Sequence, residues 1–338
     1  MAGIRPLPDT DPMENWPRKF GLVERRKKTQ ADQEFWRNQD RYYRVTSEIL
    51  VAKQSYDGLL TWERRTAVAA AVGLTVDRAV VAGRAAARLW GIDVLSEDRT
   101  VELLHTDGKQ AGSRRTWPPN VLYRRGNLHA AEVYEEHGMR VTTIPRTLRE
   151  IAARHGVLEG LVSIDSARTK WPELTRETLT EKLLEGVRFA GKARVREAIE
   201  LSEPNSGSPL ETKARYLIRK ADLPGIETVE IQARIDTGPD EYFLVDILIN
   251  GWLVIELDGR FKLDGTTFGS TDAVLRGERA REVAIQNTGK MVIRSGWEHL
   301  ETSEDGQIPL LVRIEAALRS HPVQTPRGQT MRTVDKTA

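Results

Sequence analysis

Three runs in the last third of the chain, LVDILI, WLVIEL and MVIR, are almost unbroken apolar stretches. Runs of this kind are expected of strands buried on both faces of a sheet. The surrounding pattern predicts a helix over Pro209–Ala221, strands over Val229–Arg234, Tyr242–Ile249 and Trp252–Leu257, a helix over Thr271–Asn287, a strand over Lys290–Arg294 and a last helix near Pro309–Arg319. That order is α/β with a central mixed sheet flanked by helices.

Upstream the period changes. TWERRTAVAAAVGL has apolar and Ala positions at helical spacing with Gly73 as its stop, and AVVAGRAAARLWGI repeats the plan with Ala85, Leu89 and Trp90 on one face. The two read as a helix pair. Val101–Thr106 and Val121–Arg125 read as strands around a basic loop, and from Pro145 to about Leu201 the pattern is helical. Residues 1 to about 40 lack clear periodicity apart from a short helix within Glu24–Arg37. SEPNSGSP gathers Ser, Pro, Gly and Asn and marks a domain boundary. The predicted organisation is a loose arm (1–45), a mainly helical α+β domain (46–203), an α/β domain (204–322) and a disordered tail (323–338).

Composition narrows the chemistry. The 338 residues carry 51 Lys+Arg against 49 Asp+Glu, so nucleic-acid binding has to come from local patches rather than a global field. Without cysteine there is no disulfide, thiolate nucleophile or Cys-ligated zinc, and the six histidines show no paired ligand spacing. The first residues hold no apolar signal core, and no stretch approaches the roughly 18 apolar residues a membrane span needs, so a cytoplasmic protein with no membrane partner is expected.

Within the apolar runs, Asp246 interrupts LVDILI and Glu256 interrupts VIELDG. Burying an unpaired carboxylate is costly, and a shared Mg2+ or Mn2+ ion would satisfy both while activating water for attack on a phosphodiester. Pairing with neighbouring Arg or Lys is the competing reading. Register provides a check. A two-residue Asn250–Gly251 turn would put the two acids on opposite faces, whereas a three-residue turn or bulge brings Asp246, Val254, Glu256 and Asp258 to one face, and the odd-length turn is predicted. Glu278 and Glu282, one turn apart with Arg281 nearby, could line a cleft, but such a pattern more often makes a solvent-facing charge ladder, and they are left out of the site.

Glu211 in SPLETKAR, Asp246 in LVDILI, and Glu256 with Asp258 in VIELDGRFK follow the order of the PD-(D/E)XK nuclease core. With the ERARE helix and VIRSGWEHL, this segment resembles the bacterial domain-of-unknown-function family 559, relatives of very-short-patch-repair endonucleases. The resemblance implies a restriction-endonuclease-like fold, Asp246 and Glu256 as metal ligands, and Glu211 as an auxiliary acid. Ser208-Pro209-Leu210-Glu211 is equally a capping box, and Asp258-Gly259 is ordinary turn chemistry. Asp258 stands where the motif has lysine, so the cationic role would fall to Lys262, with Arg260 behind it. The stretch Ala79–Ile92 is similar to AbiEi-type antitoxin-like proteins, which implies a winged-helix-like domain over about 60–200. In that setting Arg64, Arg65, Arg84 and Arg88, with the loop Lys109–Arg115 including Arg114 and Arg115, would track DNA phosphates; a solvated basic face is the alternative. The function expected is a metal-dependent DNA endonuclease or nickase in defence or repair. The alternative is a DNA-binding, antitoxin-like regulator whose nuclease fold does not cut.

Overall fold

The computed structural model describes residues 13–105, 115, 117–239, 241–259 and 272–321, with the side chains of 272–278 outside the description. The predicted tail, Lys262, Arg260 and Arg114 lie outside the described residues. The chain divides into two compact units, Met1–Pro209 and Leu210–Ala338, with the boundary at the end of the SEPNSGSP stretch.

The first unit opens with α1 (Trp16–Lys19), β1 (Leu22–Glu24), α2 (Gln33–Arg37), β2 (Tyr42–Arg44), β3 (Ile49–Ala52) and α3 (Lys53–Asp57). It is no loose arm. Met13, Trp16 and Phe20 are buried, Trp16 Nε1 donates to the Leu89 carbonyl at 2.7 Å, and β1, β3 and β2 form an antiparallel sheet. Scattered aromatics without periodicity gave no signal of this, because three-residue strands are too short to show one. Next come α4 (Thr61–Thr75), β4 (Ala79–Ala82), α5 (Gly83–Leu89), β5 (Val101–His105), β6 (Val121–Arg124), β7 (Val133–Glu136) and β8 (Met139–Thr142). The helix pair is thus corrected. Ala79–Ala82 is a buried strand at the centre of a mixed sheet of order β6-β5-β4-β8-β7, and β7 and β8 were not foreseen. Val80 and Val81 suit a pleated, enclosed position, and Gly83, at φ +55, turns the chain from strand into helix. The helices α6 (Ile144–His155), α7 (Val157–Lys170), α8 (Arg176–Leu184) and α9 (Lys192–Leu201) complete the unit.

In the second unit the order is α10 (Pro209–Ala221), β9 (Val229–Asp236), β10 (Tyr242–Ile249), β11 (Leu253–Leu257), α11 (Asp272–Asn287), β12 (Met291–Ser295) and α12 (Pro309–Ser320). The sheet runs β12-β11-β10-β9, antiparallel except for the β11–β12 pair. Its faces bury different sets. Ile247, Ile249, Leu253 and Ile255 pack with Leu210, Ala214 and Ile218 of α10 and with Leu310 and Ile314 of α12, whereas Leu248 and Val254 pack with Ile285 of α11. No described helix is long and apolar enough to cross a membrane.

Glu102 of β5 is 1 % exposed and holds the first unit's sheet to its helices by accepting from Arg124 Nε at 2.7 Å and pairing with His155 Nε2 at 3.0 Å. A methyl group on Gly83 would lie 2.0 Å from Glu102 Oε2. Because the carboxylate is held by two partners and Gly83 has positive φ, we expect Gly83→Ala to cost roughly 2 kcal/mol or more, read as a lower midpoint in denaturant unfolding of the full chain. An unchanged midpoint would show that Glu102 can retreat.

Candidate functional site

The site begins at a hairpin. β10 and β11 are joined by Asn250, Gly251 and Trp252, with Ile249 paired to Leu253. The turn has the predicted odd length: Asn250 (φ 50) and Gly251 (φ 70) are both left-handed. Asn250 locks it by accepting from the amides of Glu227 (2.7 Å) and Thr228 (3.0 Å) and donating to the Gly225 carbonyl (2.6 Å). Carried back along the strands, this register sets Asp246 opposite Glu256, on the α11 side that Leu248 and Val254 share.

At that level the ladder opens. Recorded β10–β11 pairing ends at Ile247 and Ile255, and the Leu257 amide donates to Asp246 Oδ2 at 2.7 Å. The carboxylate thus occupies the gap between diverging strands. On the other side of β10, the pairs Val245–Ala233 and Ile247–Ile231 leave Gln232 opposite Asp246, and Gln232 has φ +48. A non-glycine residue in this conformation costs on the order of 1 kcal/mol and kinks its strand much as a bulge does. Its Nε2 then reaches Glu211 Oε2 at 2.9 Å and Asp246 Oδ1 at 3.4 Å. Glu211, on the first turn of α10, is 8 % exposed, so its carboxylate faces the interior of this unit. Gln232 was missed in the sequence; its only trace is an amide within the strand VEIQARID.

The basic side of the site comes from α11. Arg281 Nη2 donates to Glu256 Oε1 at 2.9 Å and to the Leu244 carbonyl at 2.7 Å, while its buried Nε has no partner among the described residues. Glu282 pairs with Arg294 of β12 at 3.2 Å. The reading of Arg281 and Glu282 as a solvent ladder is therefore corrected, because the helix turns both onto the sheet. The cleft, about 400 Å³, is lined by Asp246, Glu256, Asp258, Arg281, Glu282 and Arg294 among others. Asp258 sits half-buried at its edge, its amide bonded to the Ser295 carbonyl.

Burial decides the electrostatics. Desolvation pushes Glu256 up to about 7; Asp246 adds repulsion, and Arg281 opposes the shift. Asp246 is raised by burial and by Glu211, against the pull of the Leu257 amide. Among the described residues no group of three or more His, Cys, Asp or Glu could by itself hold a metal. Two half-buried carboxylates facing one cleft nevertheless fit Mg2+ or Mn2+, ions that take one or two carboxylates and complete their shell with water and phosphate oxygens. Both acids hold protons more tightly than usual chiefly because they are desolvated.

In the first unit two of the arginines expected to track phosphate, Arg84 and Arg88, are otherwise engaged. Arg88 is 9 % exposed, donates to the carbonyls of Ser96 and Asp98, and is pushed down to about 10, chiefly by burial. Arg84 pairs with Asp98 at 2.8 Å. Both therefore hold the loop before β5. Arg115 is exposed.

Glu256 gives a pH prediction. Its folded value, near 7, lies above its ordinary 4.5, so the native state binds the proton more tightly and stability falls as pH rises between those values, by about 3 kcal/mol at most. Glu256→Gln keeps a hydrogen-bond acceptor for Arg281 without the charge. In chelator we expect it to match wild type at pH 5 and to exceed it by roughly 1–3 kcal/mol at pH 8, measured by denaturant unfolding. A less stable variant at pH 8 would mean that the Arg281 pair outweighs desolvation.

No protein-family model, no curated protein and no solved structure matches this chain.

Proposed function

We propose that the second unit is a PD-(D/E)XK-type, restriction-endonuclease-like domain that hydrolyses DNA phosphodiester bonds with Mg2+ or Mn2+. The observation that carries this reading is the opposed pair Asp246 and Glu256 at the point where β10 and β11 part, backed by Gln232 and Glu211. Asp246 and Glu256 would hold the ion; when bound, it supplies Lewis acidity toward water and phosphate oxygen. The protein's own groups do the rest. The Leu257 amide and Gln232 fix the Asp246 carboxylate, so little reorganisation is needed on loading. Glu211 orients Gln232. Arg281, whose guanidinium already reaches the cleft, offsets negative charge on the phosphoryl group in the role the motif gives to lysine.

Asp258 at the lysine position favours the second reading, a DNA-binding regulator that keeps the fold without cutting. Supercoiled plasmid and single-stranded DNA incubated with manganese, magnesium or chelator discriminate the two. We expect metal-dependent cleavage that is abolished in Asp246→Ala/Glu256→Ala and reduced roughly a hundredfold in Arg281→Ala. No cutting by wild type, with DNA binding that weakens steeply as salt rises, would establish the regulator instead.

A further inference from the structure

The first unit contains a second concavity, and its lining is chemically one-sided. It has a volume of about 660 Å³. Its lining includes Tyr43 and Arg44 of β2, Tyr56 of α3, Val68, Val72 and Val76 along and beyond α4, and Pro118, Pro119 and Tyr123. Arg64, Arg65 and Arg99 stand with Arg44 around these surfaces. No acidic residue is among its described lining residues.

That absence is informative because acids accompany arginine elsewhere in the unit. Arg84 is matched with Asp98, Arg124 with Glu102, and Arg146 with Glu132 and Glu150. In the groove and among the described residues, Arg44 and Arg64 donate only to carbonyls, of Ser47 and of Tyr56 and Asp57. Arg65 reaches only the well-exposed Glu97, at 3.5 Å, and its buried Nε has no hydrogen-bond partner among the described residues. Arg99 is exposed. Four arginines thus line one concavity with only Glu97, beside Arg65, and Asp57, beside Tyr43, as described neighbouring acids, an excess of positive charge that favours a bound anion.

The rings specify the anion further. Tyr43 is 40 % exposed, meets Tyr56 edge-on at 5.7 Å, has Lys53 Nζ 5.4 Å from its ring centroid and donates to Asp57 Oδ2 at 3.4 Å. Tyr123, also in the lining, is braced by His105, stacked at 5.1 Å, and by Trp117. Phenol rings and apolar side chains gathered with guanidinium groups in one concavity match an aromatic base joined to a phosphate. A duplex offers only base edges in its grooves, so stacking on these rings requires an unpaired nucleotide.

We infer that this groove binds a nucleoside phosphate, presented as an unpaired nucleotide of a DNA strand or as a free nucleotide, with the base against Tyr43 and Tyr123 and the phosphate on Arg64, Arg65 and Arg99. The inference stands apart from the phosphodiesterase reading, since it needs neither metal nor the acids of the second unit.

The test uses the full chain carrying Asp246→Ala/Glu256→Ala, in chelator, with a short fluorescein-labelled oligothymidylate followed by anisotropy. We expect salt-sensitive binding that Tyr43→Ala/Arg99→Ala weakens roughly tenfold or more, whereas Arg196→Ala, an exposed arginine outside the groove, leaves it unchanged. Tyr43→Phe keeps the ring and is expected to retain binding, which separates stacking from loss of the fold. Competition by thymidine monophosphate would assign the groove to a free nucleotide, and competition only by longer strands would assign it to an unpaired strand; both support the inference. Equal affinity for the wild-type and Tyr43→Ala/Arg99→Ala grooves, or preference for duplex over the unpaired strand, would overturn it.

Discussion

The geometry of the second unit depends on one hydrogen bond, from the Leu257 amide to the Asp246 carboxylate. In an uninterrupted ladder that amide would face a backbone carbonyl of the neighbouring strand. Substituting a side-chain oxygen lets β11 leave β10 without stranding a buried donor, which would otherwise cost a few kcal/mol. It also fixes a carboxylate at the fork. The cost of holding charge there appears in the raised proton affinity of Asp246 and Glu256, and the surrounding apolar clusters, Ile247 and Ile255 on one face and Val254 on the other, keep the fork rigid enough to sustain it.

The second unit was the more legible of the two because its strands are long and continuous in hydrophobicity. Helix α10 and strand β10 stand where the pattern placed them, and the parity argument for the turn at Asn250 needed only the demand that two acids share a face. What sequence could not supply was the partner set. Gln232 matters through a left-handed backbone conformation that no local pattern announces, and Arg281 through the rotation of α11 on the sheet. Both are tertiary facts.

In the first unit the failures have different causes. Ala79–Ala82 merged with the Ala-rich helix after it because four residues cannot establish a period, and only burial on all sides separates AVVA from a helical turn. The arginines of α5 looked suited to phosphate by composition, yet their guanidinium groups serve as internal struts, Arg88 on the Ser96 and Asp98 carbonyls and Arg84 on the Asp98 carboxylate. Arginine identity alone does not report solvent access; the distribution of nearby acids does.

The three-residue turn at Asn250, Gly251 and Trp252 limits how this gene product can change. Removing or adding one residue there would rotate every side chain of one strand to the other face, moving Glu256 into the layer of Ile255 and exposing the apolar set. Changes in pairs preserve parity. Lengths compatible with the acid pair therefore differ by two, so that a loop at the surface, usually the most permissive part of a protein, is here inherited in discrete steps.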